Sequence, residues 1–162
     1  MKHWLLTALS FAHISYGLPQ AYDFSGKVWM KFETHYKNKK VLVTGGCGFI
    51  GSHVAETLVK LGARVTILDN LSTGFEKNIE NFKHKVTFIK DSITNKQACD
   101  RAVADQDIIF HLAAFISVPG SVKDPTLCHE TNVDGSYFLL DAARRYGVER
   151  FVFSSTSAVY GP

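Results

Sequence analysis

The stretch Val41-Leu-Val-Thr-Gly-Gly-Cys-Gly-Phe-Ile-Gly51 restricts this chain more than any other. Val41 to Val43 is a short, β-branched apolar run that reads as a buried strand. Phe49, Ile50, Val54, Leu58 and Leu61 then place apolar side chains at helical spacing. Between strand and helix, Gly45, Gly48 and Gly51 form a Gly-x-x-Gly-x-x-Gly frame. Gly45 lets the chain leave the strand through a turn open to positive φ. Gly48 has no Cβ to hold a pyrophosphate away from the backbone, and Gly51 lets the new helix pack tightly on the strand. The helix N-terminus adds free N–H groups and a partial positive charge.

A glycine turn is common, and its surroundings decide its meaning. The next strand, Arg64-Val-Thr-Ile-Leu-Asp69, ends on a carboxylate 18 residues after Gly51, close to where an acid that binds a ribose diol belongs. The pairing predicts dinucleotide binding; a purely structural turn is the alternative. Asp69 repels a 2′-phosphate, and Asn70 and Leu71 bring no arginine to receive one, so NAD is expected over NADP.

Further on, Asn70 to Gly74 is a polar loop, Phe75 to Phe82 a short helix, and Val86 to Lys90 a third strand ending at Asp91, Ser92 and Ile93. A helix from Lys96 to Val103 precedes a fourth strand, Asp107 to Ala114, which is apolar along its length. Pro119, Gly120 and Pro125 punctuate the next segment. A long helix then runs from near Thr126 or Glu130 to Tyr146, with Gly147 as its C-cap and Arg144 and Arg145 complementing its dipole. The fifth strand is Arg150 to Ser155. Alternating strands and helices predict an α/β fold, a Rossmann-type doubly wound parallel sheet, cut off after the fifth strand. Ligands of such sheets sit at the strand carboxyl ends. Asp69, Asp91, Ala113, Ala114, Ser154, Ser155 and Thr156 all fall there. Asp91 is either an acceptor for an adenine amino group or a turn or N-cap acid. Asn132 is either a buried amide bonding the neighbouring strand or a surface residue.

Other classes are poorly served. A net charge of +3, with no long basic block, gives no footprint for nucleic acid. Lys37 to Lys40 reads as a solvated lead-in to the sheet. Cys47, Cys99 and Cys128 lack Cys-x-x-Cys spacing, and the histidines do not pair on one helix, so neither a disulfide framework nor a metal site is expected. Cys47 is either a small filler or a thiol activated by the helix N-terminus; filler is the expectation.

Residues 1–38 form an atypical extension ahead of a domain over 39–162. Their basic start and short apolar run outline a secretory signal, spoiled by His13 and Pro19 and too short to span a bilayer. Free cysteines and a cofactor site favour the cytoplasm over export, and no membrane association is expected.

From Lys39 to Pro162 the chain resembles the extended short-chain dehydrogenase/reductases, in particular the NAD-dependent nucleotide-sugar epimerases and dehydratases such as the nucleotide-sugar 4-epimerases. The carriers are Thr44-Gly-Gly-Cys-Gly-Phe-Ile-Gly51, Leu68-Asp-Asn-Leu-Ser-Thr-Gly74, His111-Leu-Ala-Ala114, Glu130-Thr-Asn-Val-Asp-Gly135 and Phe153-Ser-Ser-Thr-Ser-Ala-Val-Tyr-Gly161. The resemblance implies that Gly45, Gly48, Phe49 and Ile50 hold the pyrophosphate, with Gly51 closing the frame. It gives the ribose to Asp69 and Asn70 and the adenine to Asp91 and Ser92. Leu112, Ala113 and Ala114 would line the cofactor channel, Asn132 would stand near the cofactor, and Ser154 beside the nicotinamide. Thr156 matches the family's catalytic Ser/Thr, which hydrogen-bonds the sugar hydroxyl being oxidised.

The family's catalytic tyrosine belongs to a Tyr-x-x-x-Lys pair, and none follows Thr156 before Pro162. Tyr160, in the Val-Tyr-Gly stretch, is not that tyrosine. Thr156 alone is a poor base, because nothing activates its hydroxyl. The chain as given is therefore expected to bind NAD weakly and not to turn a nucleotide sugar over. Ile116, where some sugar epimerases have a lysine, blurs the subgroup. Related decarboxylases, 4,6-dehydratases and reductases remain alternatives, as does a non-catalytic NAD-binding regulatory module. The outer edge of the fifth strand predicts homodimerisation or aggregation.

Overall fold

A parallel strand covered on both faces must be apolar on both, and the central strands meet that demand. The computed structural model describes residues 34–155. Strands β1 (Lys40–Thr44), β2 (Arg64–Asp69), β3 (Val86–Lys90), β4 (Ile108–His111) and β5 (Arg150–Phe153) form a five-stranded sheet ordered β3-β2-β1-β4-β5. Every neighbouring pair is parallel. This is the doubly wound, Rossmann-type order, and its reversal between β1 and β4 opens a crevice at the carboxyl ends. In register, Thr44 stands opposite Leu68 on one side and His111 on the other.

The helices are α1 (Phe49–Lys60), α2 (Lys96–Val103), α3 (Val118–Lys123), α4 (Pro125–His129) and α5 (Gly135–Tyr146), with a π-helical turn over Glu130–Asp134 joining α4 to α5. Alternation along β1 separates two cores. Val41 and Val43 face Val54, Ala55 and Leu58 of α1, together with Ile67 and Phe110. Leu42 faces the other layer, with Ala98, Cys99 and Ala102 of α2 and Leu139 and Ala142 of α5. Tyr36, assigned by sequence to the extension, is buried in the α1 layer, so packing reaches back before Lys39.

Several expectations change in detail. Phe75–Phe82 holds a 3₁₀ turn, Glu76–Ile79, instead of a helix, and a second such turn, Lys83–Lys85, follows it. β4 stops at His111, and Leu112 to Ala114 leave the ladder as coil. The long helix begins at Pro125 and carries the π turn. Pro119 and Gly120 lie inside α3, where Pro119 occupies the first turn that proline tolerates and Ser117 caps by accepting from the Gly120 N–H. Gly147 does end α5 in the left-handed region. Arg144 and Arg145 also pair with Asp141, and Arg145 reaches Asp100 on α2. Lys39 pairs with Glu149 at 2.8 Å and Lys40 with Asp105, tying the lead-in to the rest of the fold. Among the described residues no helix is long and apolar enough to cross a membrane, and no cluster of metal-ligating side chains forms. Thr156, Tyr160 and the signal-like segment lie outside the described residues.

Candidate functional site

The turn after β1 is held by its own backbone. Gly45 adopts φ +68°, and a Cβ there would stand 2.8 Å from the Ala113 nitrogen. A Cβ on Gly51 would stand 2.1 Å from the Gly45 carbonyl oxygen. The third glycine therefore lets α1 press on the turn itself, a tighter contact than the helix-on-strand packing expected from sequence. Gly48 is the N-cap of α1; no side chain caps it, and the first turn holds no acid. The N–H groups and positive dipole end of α1 are thus left for an anion. Phe49 and Ile50 are exposed there.

Cys47, in the middle of the turn, is clamped on both sides of its backbone. Its N–H donates to Asp69 Oδ2 at 2.8 Å. Its carbonyl accepts from the Phe75 N–H at 3.0 Å and Asn78 Nδ2 at 2.8 Å. Gly74 packs so closely that a Cβ would come within 2.8 Å of the Cys47 carbonyl carbon. The Cys47 thiol is buried, and burial first, then the Asp69 and Glu76 carboxylates, push it up to about 12. The filler reading holds, and the activated-thiol alternative does not.

Asp69 is buried, and its Oδ1 accepts from the Leu71 N–H at 2.8 Å. Leu71 sits at φ +60°, a conformation costing a non-glycine residue about 1 kcal/mol, and it persists beside this hydrogen bond with the side chain packed on the core. A carboxylate offers about four lone-pair directions, so two remain after Cys47 and Leu71 are served. Asn70 is exposed, its Oδ1 accepting from the Ser72 N–H. At the end of β3, Asp91 accepts from the Ser92 N–H at 2.8 Å and pairs with Arg101 at 3.0 Å. Ser92 Oγ accepts from the Thr94 N–H and hydroxyl. Asn95, not Asp91, caps α2.

Across the crevice, the coil after β4 lies against Gly45. Thr44 Oγ1 accepts from the Leu112 and Ala113 N–H groups, each at 3.2 Å. Asn132, on the π turn, holds Phe115 by both polar groups: Oδ1 accepts from its N–H at 2.8 Å and Nδ2 donates to its carbonyl at 3.0 Å. The amide thus bonds the coil beyond β4, which removes the surface reading. Ala114 and Ser154 are exposed; the Ser154 N–H lies 3.4 Å from the His111 carbonyl. The structure brings Gly45, Gly48, Asp69, Leu112, Ala113 and Asn132 to one crevice, with Asp91 and Ser92 on the neighbouring strand end. Tyr36 and Lys40 have Tyr-x-x-x-Lys spacing but flank the start of β1, at the opposite end of the sheet. A separate hollow lined by Lys40, Arg64, His84 and Lys85 also opens at that opposite end.

Sequence reasoning gave no task to Thr44, Gly74, Asn78, His111 or Ser136. A signal existed for two of them: Thr44 and His111 are each the one polar residue closing an apolar strand run, and they are register partners.

Residues 41–162 match the NAD dependent epimerase/dehydratase family. The chain belongs to that family. Among curated epimerase/dehydratase relatives, it is 43% identical over 123 residues to a UDP-N-acetyl-alpha-D-glucosaminuronate decarboxylase of Bacillus cytotoxicus, covering 76% of this chain and 38% of the relative. It is 41% identical over 127 residues to a UDP-glucose 4-epimerase of Rhizobium meliloti, covering 77% and 38%. A solved UDP-glucose 4-epimerase of Thermus thermophilus in complex with NAD superposes with a TM-score of 0.67 at 45% identity, over 72% of this chain and 37% of that one. The chain thus spans well under half the length of these family members. The uncapped start of α1, the bare glycine backbone and the spare lone pairs of Asp69 fit the dinucleotide that the family uses.

Proposed function

We propose that this chain forms the NAD-binding part of a nucleotide-sugar epimerase or decarboxylase acting on a UDP-sugar. The observation that carries the reading is the Asp69–Cys47 contact beneath the uncapped end of α1: one carboxylate both braces the phosphate turn and faces the ribose position. Gly45 and Gly48 spend their own N–H groups on the Leu68 and Gly45 carbonyls, so they offer the pyrophosphate bare backbone to lie against, and the N–H groups at the start of α1, at Phe49, Ile50 and Gly51, receive it. Asp69 and Asn70 take the adenosine ribose, and Asp91 with Ser92 the adenine. The Asp91 ties to Ser92, Arg101 and Asn95 hold that carboxylate in place for an amino group. Leu112, Ala113 and Ala114 form the wall of the channel, with Asn132 fixing its far end. Ser154 takes the nicotinamide side, and the match of Thr156 to the family's catalytic Ser/Thr gives it the hydrogen bond to the sugar hydroxyl.

When bound, NAD supplies a reversible hydride acceptor. The protein's share is to hold the sugar carbon against it and to take the hydroxyl proton. That proton needs a base with a lowered pKa, and the described residues place no tyrosine–lysine pair at this end of the sheet. The chain as given is proposed to bind and not to turn over. A cytoplasmic location belongs to the same proposal, in keeping with the free thiols of Cys47 and Cys99.

Isothermal titration separates these points. NAD and ADP-ribose are expected to bind alike, with NADP about tenfold weaker through repulsion by Asp69. No binding of NAD, or NADP binding as tightly, would overturn the reading. Epimerisation or decarboxylation of a UDP-sugar by this chain alone would overturn the no-turnover part.

A further inference from the structure

His111 is a buried titratable group that the proposed function leaves without a task. It lies at the carboxyl end of β4, only 2% exposed, with the Phe151 and Phe153 rings at 5.9 and 5.4 Å. Both ring nitrogens are engaged: Nδ1 is 2.7 Å from Thr44 Oγ1, and Nε2 is 2.9 Å from Ser136 Oγ. The partners fix the proton. A hydroxyl has one hydrogen and two lone pairs. Thr44 Oγ1 already accepts from the Leu112 and Ala113 N–H groups, so its hydrogen goes to Nδ1. Ser136 Oγ donates to the Asn132 carbonyl at 2.7 Å, which can only accept, so the serine meets Nε2 as an acceptor. Each end independently names the neutral ring with its proton on Nε2.

Thr44 grips the start of the Leu112–Phe115 strip and Asn132 grips its end. We propose that His111 is a positioning residue: its Nε2–H imidazole joins these two grips into one directed chain, Thr44 to His111 to Ser136 to the Asn132 carbonyl, so that the strip is held as a unit. Asn132 lies in the π turn, a device found often at functional sites, and Ser136 in the first turn of α5 four residues on. That the strip lines a dinucleotide rests on the reading above; the tautomer and the coupling do not.

Long-range proton–nitrogen correlation spectra of the full chain, with ring-labelled histidine, read the first claim. A protonated Nε2 and a bare Nδ1 at neutral pH are expected; the opposite tautomer, or a rapidly averaged mixture, overturns the proposal. Amide exchange reads the second. Ser136→Ala touches neither Leu112 nor Ala113, yet it is expected to raise Ala113 exchange about fivefold, the size of one lost hydrogen bond, while Leu58 in α1 is unmoved. Thr44→Val and Ser136→Ala together are expected to fall short of the product of their separate effects on Phe115. Simple multiplication, or an Ala113 amide indifferent to Ser136→Ala, overturns the coupling. Neither readout uses dinucleotide. A chain that fails to bind NAD sinks the proposed function alone, and a ring in the wrong tautomer sinks this proposal alone.

Discussion

The Asp69 carboxylate, at the end of the second strand, reaches the Cys47 N–H in the first turn at 2.8 Å and leaves part of its acceptor capacity free. Both Asp69 oxygens face backbone N–H groups, so a neutral amide in its place must turn an NH₂ toward one of them. Asp69→Asn is expected to lose about 1–3 kcal/mol of stability, the penalty for an unmet buried donor. Urea denaturation measures that loss. Titration should also show NAD binding weakened more than NADP binding, since the repelling charge is gone.

Gly51→Ala sets a methyl 2.1 Å from the Gly45 carbonyl oxygen, a rigid backbone atom. The helix has to move off the turn. We expect a loss at or beyond about 3 kcal/mol, the upper end for overpacking, with NAD binding abolished. Gly147→Ala is the control: unlike Gly51 it sits at a left-handed φ of +69°, but a Cβ there meets nothing within 4 Å, so the cost is about 1 kcal/mol and binding is kept. Thermal melts of the two variants give the comparison.

Removing the side-chain clamp on the Cys47 carbonyl should be milder. Asn78→Ala leaves the Phe75 N–H in place on that carbonyl. A stability loss of about 1 kcal/mol and a weaker hold on NAD are expected, because the turn, not the ligand, has lost a partner.

Acid should act through His111 before most carboxylates respond. Burial lowers this imidazole from its usual 6.5 to about 4. At pH above 6.5 the ring is neutral whether the chain is folded or not, and stability does not depend on it. As pH falls from 6.5 toward 4, the unfolded chain gains a proton that the folded chain refuses, so stability declines. The full swing is on the order of 3 kcal/mol, and it levels off below about pH 4. His111→Gln should flatten the curve over that window. Below it, Asp141 and Glu76, whose carboxyls are held low by hydrogen bonds from arginine and lysine respectively, govern the remaining loss. Urea midpoints measured at half-unit pH steps would show the difference.

The sheet was readable because parallel strands buried on both faces need largely apolar runs, and Val41–Val43, Ile108–Phe110 and, broken only by Thr66, Val65–Leu68 supply them. The glycine frame and Asp69 were readable because their tasks are local to a strand end. The α3 helix was not: Pro119 and Gly120 look like breakers, and only Ser117 capping and the first-turn position of the proline make them helical. Phe75–Phe82 carried apolar ends suited to one helical turn, and the chain met that need with tighter 3₁₀ turns as it clasped Cys47. The tie from His111 to Ser136 spans separate elements and leaves no periodic trace.

The depth at which Cys47 lies has a practical result. With Cys99 it forms a pair of sealed thiols, whereas Cys128 is partly open. A thiol-reactive dye should mark Cys128 at once, and the other two only when the domain breathes, so its uptake at Cys47 clocks opening of the turn after β1 from within. The molecule carries its own stopwatch at the spot where ligand grip would slow the hands.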